Sequence, residues 1–157
     1  MSSASAPPKM LLPQAPAVAA GVRQAAWLSP DGEIETLSHA ETAGRIRSGA
    51  RPIVCHAKAQ ARRLGEAAFP ALDILELFAF VRPARFVLPT PGGVAAALGL
   101  ALPGTLEREA EFLLAAAGVL LAELSERAGG AGGWATPPPG RSPRRCNWAA
   151  GRGRTPC

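Results

Sequence analysis

The stretch Pro52-Ile53-Val54-Cys55-His56-Ala57-Lys58-Ala59-Gln60-Ala61-Arg62-Arg63-Leu64-Gly65 decides the fold. Pro52 to Cys55 is a short apolar run of the kind a buried strand needs. Ala57 to Leu64 then reads as a helix whose outer face carries Lys58, Arg62 and Arg63, and Gly65 supplies the left-handed residue that ends it. A buried strand passing directly into a helix is the building unit of an α/β domain.

Upstream, Gln24 to Leu28 predicts a short strand, and Ser29-Pro30-Asp31-Gly32 predicts a turn. Glu33 to Leu37 alternates polar and apolar residues, as a half-buried returning strand does. Ser38 with Glu41 three positions later forms a capping box, which predicts a helix from His39 to about Arg47 that stops at Gly49. Downstream, a strand start at Ala71–Asp73 is expected to pass into a helix before Pro83. Thr90-Pro91 sets the start of the next helix and Gly99 its end. Thr105 opens the longest helix, with Glu107, Glu109 and Glu111 near its positive end. Its buried stripe is expected at Leu106, Ala110, Leu113, Ala117, Leu121 and Leu124, and its end near Arg127. The resulting expectation is an α/β fold with a small mixed sheet flanked by helices over residues 17–128.

The two ends differ from this body. Residues 1–16 are rich in Ser, Ala and Pro and read as a disordered leader; Pro13 and Pro16 break the weak resemblance of Lys9-Met10-Leu11-Leu12 to an export signal. Residues 129–157 contain seven Gly and five Pro and no periodic apolar face, so a disordered tail is expected there. That tail also holds Arg141, Arg144, Arg145, Arg152 and Arg154 with no acid, and so carries the whole net charge of +5. The body balances twelve basic against twelve acidic side chains, which gives no warrant for a basic face on it. Fifteen Arg against two Lys suggest a GC-rich gene, and the tail composition fits out-of-frame reading from about Trp134. An in-frame extension of this tail in the gene would rule that out.

Several function classes drop out. The longest apolar run, Phe112 to Ala122, is eleven residues, short of the roughly 20 that span a bilayer. No G-x-x-x-x-G-K-[ST] phosphate loop is present. Cys55, Cys146 and Cys157 form no C-x-x-C pair and are odd in number, which points to a reducing, cytoplasmic setting.

The candidate chemistry is thin. Asp31 and Glu33 have a D-x-E spelling, but a Pro-Asp-Gly hairpin turn explains them without a metal. Cys55-His56 suggests a nucleophile and base, yet neighbouring strand residues face opposite ways and His39 is distant. Gly92-Gly93 at a helix start offers backbone N–H groups to an anion. Lys58, Arg62 and Arg63, with Arg45, Arg47 and Arg51, make the body's one basic cluster, a candidate for phosphate contact or simply a solvated face. Trp134 and Trp148 among the tail arginines could stack on bases.

The run Ile53 to Ala57, with Arg62-Arg63-Leu64, Ala71 to Leu77 and Leu98-Gly99-Leu100, resembles the middle of a DEDD-type 3′–5′ exonuclease domain, a ribonuclease-H-like fold. More closely, Phe69 to Phe86 with Leu88-Pro89-Thr90-Pro91 is similar to the N-terminal region of bacterial DinG-type ATP-dependent DNA helicases. The resemblance implies a helicase accessory domain lying before a motor that uses ATP and Mg²⁺; no cofactor is implied for this chain itself. The departures matter. Exonucleases hold two metal ions with four carboxylates, but Ala25-Ala26-Trp27-Leu28 stands where D-x-E is expected, and the last helix lacks H-x-x-x-x-D. Asp73 matches a structural residue of the family. The expectation is therefore a degenerate domain with no catalytic residues and no metal site. Its partners would be the motor domain and single-stranded DNA met by Lys58, Arg62 and Arg63. The alternatives are a residual exonuclease using Asp31, Glu33 and Asp73, or a plain protein-interaction domain.

Overall fold

A computed structural model describes residues 14–130. Five strands and five helices follow one another: β1 (Ala17–Ala20), β2 (Gln24–Leu28), β3 (Ile34–Ser38), α1 (His39–Arg47), β4 (Ile53–Val54), α2 (Ala57–Leu64), β5 (Leu72–Asp73), α3 (Ile74–Val81), α4 (Pro91–Leu98) and α5 (Leu106–Gly130). The sheet order is β3-β2-β1-β4-β5. β1, β2 and β3 form an antiparallel meander, while β4 and β5 continue the sheet in parallel with β1. This is the mixed, helix-flanked sheet expected from the sequence.

The strand at the centre was not expected. Ala17-Val18-Ala19-Ala20 is buried on both faces, so it lacks the alternation that betrays a strand, and alanine is a poor strand former. The first strand is therefore β1, and Gln24–Leu28 is the second. Pro16, assigned by sequence to the leader, lies just before β1, and its carbonyl accepts a hydrogen bond from Ile53 N at 2.7 Å. Residues 1–13 of the leader and the tail from residue 131 lie outside the described residues.

Alternating side chains split the interior into two layers. Ala17, Ala19, Ala26, Leu28, Ile53 and Cys55 face α3, α4 and α5, whereas Val18, Ala20, Ala25, Trp27 and Val54 face α1 and α2. Small residues on β1 let α5 lie close over the sheet through Ala110, Leu113, Ala116, Ala117 and Leu120. Leu106, Leu121 and Leu124 are only partly buried, and α5 continues to Gly130, past the stop expected near Arg127. β3 is an edge strand and only its Leu37 is buried.

Local signals were followed closely. Ser38 and Glu41 make both bonds of the capping box, and Thr90 Oγ1 accepts from Gly93 N at 3.0 Å. Gly93 is required for a second reason: a Cβ there would stand 2.5 Å from the Leu88 carbonyl oxygen. Its N–H is thus already engaged in capping, which leaves the anion reading of Gly92-Gly93 weaker than its spelling suggests. Among the described residues, no helix is long and apolar enough to cross a membrane.

Candidate functional site

Open α/β sheets place ligands in the crevice beyond the carboxyl ends of their parallel strands. In this protein that rim has two parts. At the end of β1 the rim is filled. Gln60 of α2 is buried, its Oε1 accepts from Ala20 N at 2.7 Å, and its Nε2 donates to the Cys55 carbonyl at 3.5 Å. One helical turn on, Arg63 Nη1 donates to the Ala20 carbonyl at 2.6 Å. From the other side, Leu106 presses on the loop after β1, its methyls 3.3–3.4 Å from where a Gly21 Cβ would stand. Half-buried Glu109 lies near Arg63; burial pushes its carboxyl above the usual carboxylate range, and Arg63 partly opposes the shift.

At the ends of β4 and β5 the rim is open. A cavity of about 650 Å³ is bounded by His56, Lys58, Phe69, Asp73 and Glu76, with alanines on α2 and α3 leaving the space between them. Asp73 organises this end. Its Oδ1 accepts from His56 N at 3.0 Å and Leu75 N at 2.9 Å, and its Oδ2 from Ala57 N at 2.6 Å. One carboxylate thereby caps the amino ends of both α2 and α3, where the helix dipoles favour negative charge. The grip holds His56 in the left-handed region at φ 62°, uncommon for a residue with a side chain.

The comparisons with known proteins are brief. No family model matches this chain, and no curated protein or solved structure is significantly similar to it.

The geometry sorts the residues expected from sequence. Asp31 and Glu33 are exposed in the β2–β3 turn, whereas Asp73 sits on the opposite edge strand with its oxygens engaged by backbone N–H groups. Among the described residues, no three His, Cys, Asp or Glu side chains converge as a metal site would require. β1 carries no carboxylate, and a glutamine and an arginine occupy its rim. The donor set does not fit a two-metal centre. Cys55 is buried at 2% exposure, and burial pushes its thiol up to about 12, with the nearby charges of Asp73 and Glu109 adding to the shift. Such a thiol is inert at neutral pH.

The basic cluster is split by the fold. Arg45 forks onto Glu35 at 2.9 and 2.8 Å and lies over the Trp27 ring. Arg47 pairs with Glu66. Arg63 is tied to the Ala20 carbonyl through its Nη1 although the residue is exposed, and Arg51, Lys58 and Arg62 are exposed as well. Sequence reading missed Gln60 and Arg63 as fasteners of β1. The one available signal was a glutamine on the inward side of a short, otherwise alanine-rich helix. Trp134 and Trp148 lie outside the described residues.

Proposed function

We propose that this chain is a catalytically silent, ribonuclease-H-like accessory domain of the kind found ahead of the motor in DinG-type DNA helicases, serving for docking or for weak contact with single-stranded DNA. The observation that carries this reading is the sealed end of β1. A mixed sheet of order β3-β2-β1-β4-β5 presents its central strand where a nuclease would gather carboxylates, and that position is occupied by Gln60, Arg63 and Leu106. A fold can persist after its site is gone. The resemblance of Phe69 to Pro91 to the helicase region supports the parentage, and the exposed Lys58 and Arg62 supply cations for a phosphate backbone.

Two measurements test it. Incubation with single-stranded DNA and Mg²⁺ or Mn²⁺ should give no 3′ digestion; digestion abolished by Asp73→Ala would establish a residual nuclease instead. Retention on single-stranded DNA should weaken with salt and fall in a Lys58→Ala/Arg62→Ala variant. Retention unaffected by both would leave only a protein-interaction role.

A further inference from the structure

Far from the strand rim, the carboxyl ends of α3 and α5 meet at a polar cavity of about 390 Å³ lined by Arg82, Pro83, Arg85, Glu123 and Arg127. Two of its guanidinium groups are fixed. Arg82 Nε donates to Glu123 Oε2 at 2.9 Å and its Nη1 to the Ala97 carbonyl at 2.8 Å, with the group lying over the Phe78 ring. Arg127 Nη2 donates to Glu123 Oε1 at 2.7 Å, and its Nη1 donates to the Val81 carbonyl. The third, Arg85, is exposed and has no side-chain partner among the described residues.

Structural duties account for part of this arrangement. Arg127 caps the end of α3 and Arg82 braces α4 against α5. Neither duty calls for Arg85. The turn Arg82-Pro83-Ala84-Arg85 closes through Arg85 N to the Arg82 carbonyl at 3.2 Å, with Ala84 at φ 74° where glycine is usual. Three cations thus border one cavity with a single carboxylate, a local excess of two charges in a body whose total charge is zero. Held guanidinium forks with free N–H edges match the oxygens of a tetrahedral oxyanion.

We propose that Arg82, Arg85 and Arg127 form a phosphate-binding clamp, in which Glu123 orients the two fixed arginines and Arg85 closes on the ligand. The shared chemistry is a phosphate group, whether free or in a nucleic-acid backbone. If the source is single-stranded DNA, the clamp deepens the function proposed above by adding a second contact on another part of the molecule.

The test uses the full chain and two probes: inorganic phosphate, followed by titration calorimetry at fixed ionic strength, and a labelled oligothymidylate, followed by anisotropy across a salt series. Arg85→Glu should leave the urea midpoint unchanged, because its side chain makes no internal bond. It should weaken phosphate binding about tenfold, and Arg85→Ala should lower the salt slope of oligothymidylate binding by about 1. Weakening with both probes, or with oligothymidylate alone, supports the clamp with nucleic acid as the source. Weakening with phosphate alone supports it with a free phosphate compound as the source. Binding of both probes unchanged in Arg85→Glu, or absent in the parent chain, overturns it. A Lys58→Glu/Arg62→Glu variant separates the two proposals: loss of oligothymidylate binding there, with neither probe weakened in Arg85→Glu, removes the clamp and leaves the α2 contact standing.

Discussion

The two ends of the parallel strands make an instructive pair. Both lie on one rim of the sheet and both are built largely by α2, yet one is closed and the other open. At β1, the buried Gln60 and the more exposed Arg63 satisfy the strand's terminal backbone groups. At β4 and β5, alanines leave space and a single carboxylate satisfies the backbone from below. Buried backbone groups at a strand end must be paired in either case. Whether the pairing comes from a side chain that fills the crevice or from one that frames it decides if a ligand can enter.

Substitutions should expose that difference, and the largest effect is expected at the open end. Asp73→Ala removes the acceptor for three backbone N–H groups and should cost about 3 kcal/mol or more, read from urea unfolding. A loss below about 1 kcal/mol would mean that water replaces the carboxylate and that this end is not organised as described. At the closed end, Gln60→Leu keeps the volume but orphans the buried Ala20 N–H, for an expected loss of about 2 kcal/mol. Arg63→Met should cost about 1 kcal/mol there. Equal effects of Gln60→Leu and Arg63→Met would show that the closure does not depend on the buried amide.

Cys55 lies between the two ends and links them to pH. Its unfolded thiol ionises near 9.0, whereas the folded thiol holds its proton to about 12. Above pH 9 the unfolded state releases a proton that the folded state retains, so the thiol's contribution is complete below pH 9 and is lost as the pH rises toward 12. The slope is at most about 1.4 kcal/mol per pH unit. Urea midpoints compared at pH 8 and pH 10 should fall more in the parent chain than in Cys55→Ala. The smallest effect is expected from His56→Gly, which relieves the left-handed strain and should stabilise by about 0.5 kcal/mol once glycine's extra chain entropy is set against it. Destabilisation instead would show that the imidazole packs usefully at the cavity mouth.

Much of the local structure was legible because its causes are local. Ser38 with Glu41, Thr90 with Pro91, and the glycines at 65 and 99 act within a few residues of the bonds they make, and the helices begin and end where they dictate. β1 was missed for the opposite reason: Ala-Val-Ala-Ala is a strand because neighbours on both sides pair with it, and nothing in its own chemistry says so. The partners of the basic cluster were illegible for a related reason. Arg45, Arg47 and Arg63 are close to Lys58 and Arg62 in sequence, but each is tied to a partner distant in the chain: Glu35, Glu66 and the Ala20 carbonyl.

By itself the sequence determined where α1 and α4 start, where α2 and α4 stop, that strands and helices mix along the chain, and that the body has no net charge. Only the tertiary structure decided which strand lies at the centre and which side chains meet at the functional surfaces. Gln60 and Arg63 reach Ala20 across 40 and 43 residues, and Arg82 reaches Glu123 across 41. Capping and turn preferences act over one helical turn, whereas contacts at such separations exist only after the sheet has assembled and packing has brought the elements together.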